Sequence, residues 1–231
     1  MDTDKNAPRL LGAAFLLVVF TSLSAGLLHN SAVGSGDISE ILVNISSNLT
    51  LYRISILGDM VTSLGVVALA GLLFIVLNKQ NRIMAIIAFG SWLAEAMSLA
   101  LSKTGSLALM PLSLDYVKAG ALELSTYQTL GEFLHFGLVV GQGQTLHMFF
   151  YCFGGILWYT LFYKSKYIPR AISLFGLAAV VLASFGILFE FLGYDVPIYV
   201  YLPILPFELT IGTWLLLRGI KDDSDQSRGN S

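Results

Sequence analysis

Residues Gly131–Lys166 read GEFLHFGLVVGQGQTLHMFFYCFGGILWYTLFYKSK. From Phe133 to Tyr163 the stretch holds no Asp, Glu, Lys or Arg, yet it carries two of the chain's three histidines, His135 and His147. A helix crosses the hydrocarbon core in roughly 20 residues. The run is therefore either one overlong span or a chain that breaks and then spans. Gly141-Gln-Gly143 is the natural break. On this reading Glu132 and His135 belong to a short surface helix, and a span begins near residue 144.

The rest of the chain fits that choice. Of its 231 residues 55% are hydrophobic and only 12% charged, with a mean hydropathy of +0.75. Soluble domains carry about 25% charged residues. The composition points to an all-α, polytopic integral membrane protein whose partner is the lipid bilayer: one transmembrane domain over residues 1–221 and a polar C-terminal tail over 222–231. Basic residues form no cluster beyond short patches at span ends, which argues against nucleic acid. The single cysteine, Cys152, excludes an intrachain disulfide and a Cys-based metal motif, and suits a small buried or lipid-facing position. Leu10–Gly36 is free of Asp, Glu, Lys and Arg, long for a signal-peptide core of about 7–15 residues. It reads as a retained first span, although Ala25-Gly26 would permit cleavage.

Six segments qualify as spans: 9–28, 54–77, 82–102, 144–164, 169–193 and 197–218. With both termini in the cytoplasm and the chain in the cell's plasma membrane, Lys5, Arg9, Lys79, Arg82, Lys164, Lys166, Arg170, Arg218 and Lys221 all fall inside. The inner loops Asn78–Asn81 and Ser165–Ile168 are tight, so their flanking spans are antiparallel neighbours. Outside, loop one (His29–Arg53) turns apolar from Ile38 to Leu51 and suggests a short interfacial helix; its sequons at Asn44 and Asn48 are short enough to arise by chance. Loop three (Lys103–Gly143) has an apolar part, Leu107–Leu114, interrupted by Pro111, and suggests two amphipathic interfacial helices over 113–124 and 126–140, with a re-entrant pair as the competitor. The expected architecture is a six-helix transmembrane bundle with short interfacial helices on its outer side.

Ionisable groups within spans are expensive and mark candidate sites. Asp59, Glu95, His147, Glu190 and Glu208, together with His29, all fall in the outer half or at the outer rim, with Glu132 and His135 on the same side. That asymmetry suggests an outward-facing polar cavity roofed by loop three, with Asp59, Glu95, His147, Glu190 and Glu208 as ligand-binding candidates. Residues near span ends also simply reach water. Arg53 is a candidate partner for Asp59, or a rim residue. A divalent metal would draw on His29, Glu132, His135 and His147. Glu132 and His135, three apart, share a face of an α-helix, but His135 and His147 would lie about 18 Å apart on one continuous helix. A Zn²⁺ hydrolase needs about three ligands and an open position, for which Asp59 would join the histidines. No phosphate-binding loop, nucleophile elbow, HExxH or haem-attachment motif is present. No lysine falls within the six spans so drawn. Trp158, Tyr159, Phe162, Tyr163 and Tyr167 read as an inner interfacial belt, and Gly58, Gly65, Gly71 and Gly154-Gly155 as close-packing positions.

FFYCFGGILWYTLFYKSKYIPRAISLFG, Phe149–Gly176, resembles a signature of the bacterial membrane-protein family of unknown function numbered 4386 in the domain-of-unknown-function series: an aromatic-Gly start, Leu-Tyr-x-Ser near the helix end, Ile/Val-Pro-Arg, then a Gly in the next span. Here Phe162-Tyr163-Lys164-Ser165 departs from that pattern but keeps Ser165, and Pro169-Arg170 follow. Phe89–Glu95 and Leu205–Gly219 also fit, although Ser91-Trp92 stands where the family commonly has Arg, which weakens an Arg–Glu pairing at Glu95. The resemblance spans roughly residues 8–220 and implies a bacterial multi-pass membrane protein without an assigned activity. Three readings stay open: a protein whose outer cavity binds a small polar molecule, lipid headgroup or ion; a metal-dependent intramembrane hydrolase; and a structural or regulatory subunit.

Overall fold

The computed structural model describes residues 3–121 and 126–220. Glu123, Lys221 and the tail 222–231 lie outside the described residues. Those described form helices and no strand: α1 (Thr3–Val33), α2 (Ile38–Ser47), α3 (Leu49–Leu77), α4 (Arg82–Lys118), α5 (Thr126–Glu132), a π-helical segment (Phe133–Val139), α6 (Gln142–Ser165), α7 (Arg170–Phe191), a 3₁₀ turn (Ile198–Val200) and α8 (Ile204–Arg218). Six helical runs among them are long and apolar enough to cross a membrane. The protein is an all-α polytopic membrane protein.

The six runs match the six expected spans, but their boundaries differ. α1 continues to Val33, where Gly34 adopts φ +71° and turns the chain. Asp37 then caps α2, its carboxylate accepting from Glu40 N at 3.0 Å. Ile38, Ile41, Leu42 and Ile45 form the buried stripe of α2, at the spacing of one helix face. The sequon side chains are engaged locally: Asn44 Nδ2 donates to Val33 O and Asn48 Nδ2 to Asn44 O, both at 3.0 Å.

The largest departure is α4. It does not end near residue 102 but runs on through Pro111 to Lys118. Ser106, Leu109, Ser113 and Tyr116 continue its buried face at spacings of three and four. Packing of that face holds the helix past the proline, whose propensity alone would end it. The expected interfacial helix at 113–124 is thus in part the tail of α4. The second, at 126–140, is α5 followed by the π-helical segment.

Gly141-Gln-Gly143 does not fully break the chain. A turn at Val140 and Gly141 separates the π segment from α6, which starts at Gln142. A Cβ on Gly141 would lie 2.3 Å from the Phe136 carbonyl oxygen, so only glycine lets the backbone pass there. At the other extreme, α8 has 15 residues, about 22 Å of helix, and the 3₁₀ turn precedes it.

The described residues group into two compact units. One comprises Met1–Val19, Gly65–Glu95 and Met148–Ser231. Its core contains Trp92, Trp158, Tyr159, Phe162 and Phe207, each at most 1% exposed. Trp158, Tyr159 and Phe162 are therefore core residues and not an interfacial belt; Tyr163 is half-buried under the Arg170 guanidinium, 5.4 Å from its ring centroid. The other unit comprises Phe20–Leu64 and Ala96–His147. Its core joins Ile41, Leu42 and Ile45 to Tyr52, Leu109 and Tyr116.

Candidate functional site

In the second unit, Lys103 of α4 and Asp59 of α3 form an ion pair, Nζ to Oδ2 2.8 Å. Their side chains are only 11% and 17% exposed. Arg53, which read either as a partner for Asp59 or as a rim residue, is exposed. Lys103 fills that role because α4 continues past residue 102, which places a lysine inside a helix of membrane length. Two histidines lie within electrostatic reach of the pair, and a third, His135, adjoins one of them. His29 of α1 interacts electrostatically with Lys103, Asp59 and His135, and His147 of α6 with Lys103. His29 also packs against Tyr52, ring centroids 5.5 Å apart and planes tilted by 37°. Both ring nitrogens of His147, and Nδ1 of His135, are buried without a hydrogen-bond partner among the described residues.

Glu132 and His135 do not share a face: Glu132 is exposed and His135 is 5% exposed. The cause is the π winding that begins at Phe133, with Val140 N bonded to His135 O in an i→i+5 pattern. That winding turns less per residue than an α-helix, so residues three apart no longer align. Among the described residues no three His, Cys, Asp or Glu side chains gather to ligate one ion.

The first unit holds the other acidic candidates. Glu95 of α4 is 6% exposed. Glu208 of α8 accepts a hydrogen bond from Tyr151 Oη at 2.8 Å. Tyr151 is fixed by Trp92, which stacks on its ring at 5.7 Å and 9° and donates Nε1–H to its carbonyl oxygen at 3.1 Å. Gly154 makes room for the indole: a Cβ there would lie 2.4 Å from Trp92 Cδ1. By contrast a Cβ on Gly71 would meet nothing within 4 Å, so that glycine is not a packing position. Glu190 of α7 accepts from Tyr201 Oη at 2.6 Å. Cys152 is buried and free, as a small hydrophobe would be. The five ligand-binding candidates thus divide: Asp59 and His147 belong to the second unit, Glu95, Glu190 and Glu208 to the first.

Among the described residues, shallow surface grooves of about 430 and 470 Å³ are formed. The first runs along Ile87, Gly90, Ala94, Phe149 and Phe153, the second along Leu209, Thr213, Trp214 and Leu217. Neither is lined by any of the five ligand-binding candidates.

Six membrane-length helical runs and ionisable side chains buried on them define a multi-pass membrane protein of the all-α class. The particular family follows from the chain itself: residues 10–219 match Domain of unknown function (DUF4386), and the protein belongs to that family. No curated protein and no solved structure matches the chain significantly.

Proposed function

We propose that the protein is a membrane-embedded binding protein that takes a zwitterionic headgroup, an ammonium joined to a phosphate, at the Lys103–Asp59 pair. The observation that carries the reading is the pair itself: opposite charges 2.8 Å apart, both largely buried, with His29 and His147 within electrostatic reach. Its depth supports a lipid source. At 1.5 Å per residue, Lys103 lies about 32 Å along α4 from Arg82, and Asp59 about 27 Å along α3 from Leu77. The hydrocarbon core is about 30 Å thick, so both residues sit near headgroup level on this path. A ligand carrying both charges can exchange partners with the pair, its phosphate meeting Lys103 and its ammonium Asp59, each through a charge-assisted hydrogen bond. A ligand of one sign would leave one member of the pair buried without compensation. The unpartnered ring nitrogens of His147 offer a further donor to the phosphate.

Thermal unfolding of the purified protein tests this. Lysophosphatidylethanolamine should raise the midpoint of the wild type more than lysophosphatidylglycerol, which lacks the ammonium, and His147→Ala should reduce the difference. Equal shifts from the two lipids, or an undiminished difference in His147→Ala, would favour a structural role for the cluster.

On the same reading both termini lie in the cytoplasm of the cell's plasma membrane. The support is that Arg9, Lys79, Arg82, Lys164, Lys166, Arg170 and Arg218 fall on one side of a six-span path, against Arg53, Lys103 and Lys118 on the other. In a Cys152→Ser background, a membrane-impermeant maleimide added to intact cells should label Asp195→Cys and spare Lys79→Cys. The reverse pattern would invert the orientation.

A further inference from the structure

Three observations meet in the first unit, and they are independent of the headgroup reading. Glu95 is 6% exposed, and its Oε2 atom is buried without a hydrogen-bond partner among the described residues. Glu208 is held through Oε1 by the Tyr151 hydroxyl at 2.8 Å. Trp92, one turn before Glu95 on α4, stacks on that same tyrosine. Glu95 and Glu208 both act electrostatically on Tyr159, which adjoins the Tyr151 hydroxyl, and Glu208 acts on Glu95 directly. The other titratable groups facing them are Tyr159, beside the Tyr151 hydroxyl, and Cys152, within electrostatic reach of Glu95 and itself beside Ser184. None of these is a cation, and among the described residues no lysine, arginine or histidine pairs with either carboxylate.

The depth makes this arrangement costly. Glu95 lies about 20 Å along α4 from Arg82, and Glu208 about 15 Å along α8 from Arg218, within a core about 30 Å thick. A charged group there without a partner is strongly disfavoured, and ionisable residues at such depth line ion or proton paths. Two carboxylates need a positive charge more than one does. The packing limits what can supply it. Trp92, Tyr159 and Phe207 are each at most 1% exposed, and neither surface groove includes Glu95 or Glu208. Packing this tight favours a single ion over a ligand of many atoms.

We infer that Glu95 and Glu208 together bind one small monovalent cation, a proton or a sodium ion, with the Tyr151 hydroxyl orienting Glu208. The positive charge is the shared chemistry, and two measurements separate its sources. The first is thermal unfolding of the purified full chain in detergent, with NaCl replaced by choline chloride at constant ionic strength. If the occupant is Na⁺, saturating sodium should raise the wild-type midpoint by about 5 °C, the scale expected for a site filled well above its dissociation constant. Glu95→Gln and Glu208→Gln should each abolish that shift. The second measurement is the infrared carbonyl band of a protonated carboxyl group, identified with ¹³C-labelled glutamate. If the occupant is a proton, the wild type shows that band without a sodium shift, and either substitution removes or moves it. The proposal is overturned if the wild type shows neither a sodium shift nor a protonated-glutamate band sensitive to both substitutions. The infrared measurement on labelled wild type stands even where a variant fails to fold: absence of the band together with absence of a sodium shift overturns the proposal without any variant. Because the headgroup test is read with two lysolipids and at His147, either reading can fail while the other holds.

Discussion

Lys103→Met is expected to destabilise the protein by about 3–5 kcal/mol, because it leaves Asp59 buried without its counter-charge. The pair is 2.8 Å long and both side chains are more than four-fifths buried, so the low values typical of exposed ion pairs do not apply. Asp59→Asn is expected to cost less, since an amide can still accept a hydrogen bond from the ammonium. The double variant Lys103→Met/Asp59→Leu should recover most of the loss, because replacing both members removes the charge as well as its partner. Equilibrium unfolding in detergent or bicelles gives the cycle directly, and contacts of this kind show coupling of about 0.5–3 kcal/mol or more. A loss below about 1 kcal/mol for Lys103→Met would mean that water reaches Asp59 and that the pair is a surface feature. The same cycle bears on function. A pair that contributes little net stability, yet is costly to break, is the arrangement a zwitterionic ligand can exploit by exchanging partners.

Much of this fold is legible in the sequence, for physical reasons that also mark where legibility stops. Long apolar runs and the placement of Lys and Arg specify six spans, because the bilayer penalises charge at depth and imposes a minimum helix length. The helix at Ile38 is legible too: an Asp cap followed by apolar residues at 38, 41, 42 and 45 is a local pattern. The length of α4 is not. Hydropathy falls near Lys103 and Pro111 breaks the propensity, while the helix is carried on by tertiary packing of Ser106, Leu109, Ser113 and Tyr116. That one difference hides Lys103, the residue that completes the ion pair. The continuing spacing of three and four after residue 103 was the signal that could have found it. The π winding from Phe133 to Val139 has no sequence signature, and it removes the alignment of Glu132 with His135. Trp158, Tyr159 and Phe162 read as a belt because they sit close to Lys164 and Lys166, yet they are core because they face neighbouring helices. Composition locates a residue along the span but not around it.

Trp92→Ala is expected to cost about 3–4 kcal/mol, near the lower end of the range for removing a large aromatic from a core. The reasoning turns on the solvent. In water such a substitution loses the transfer free energy of the indole and leaves a cavity. In a bilayer the unfolded helices already lie among lipid tails, so little hydrophobic driving force separates the two states, and packing and hydrogen bonding carry the difference. Trp92 concentrates both. It is 1% exposed, stacks on Tyr151 at 5.7 Å, and meets Phe15 and Trp158 edge-on at 6.5 and 6.3 Å. Its Nε1–H donates to the Tyr151 carbonyl oxygen. Trp92→Phe keeps a ring and loses the hydrogen bond, so it should cost about 1 kcal/mol from that loss plus a smaller void. Gly154→Ala tests the same contact from the other side: its Cβ would lie 2.4 Å from Trp92 Cδ1, and such overpacking costs about 1–3 kcal/mol. In Trp92→Phe/Gly154→Ala the smaller ring gives way to the new methyl group, and the combined loss should fall below the sum of the two. Additive losses would mean that Trp92 and Gly154 are not in contact. A Trp92→Ala variant within 1 kcal/mol of wild type would mean that this aromatic cluster does not hold Tyr151, and with it the alignment of Glu208, in place.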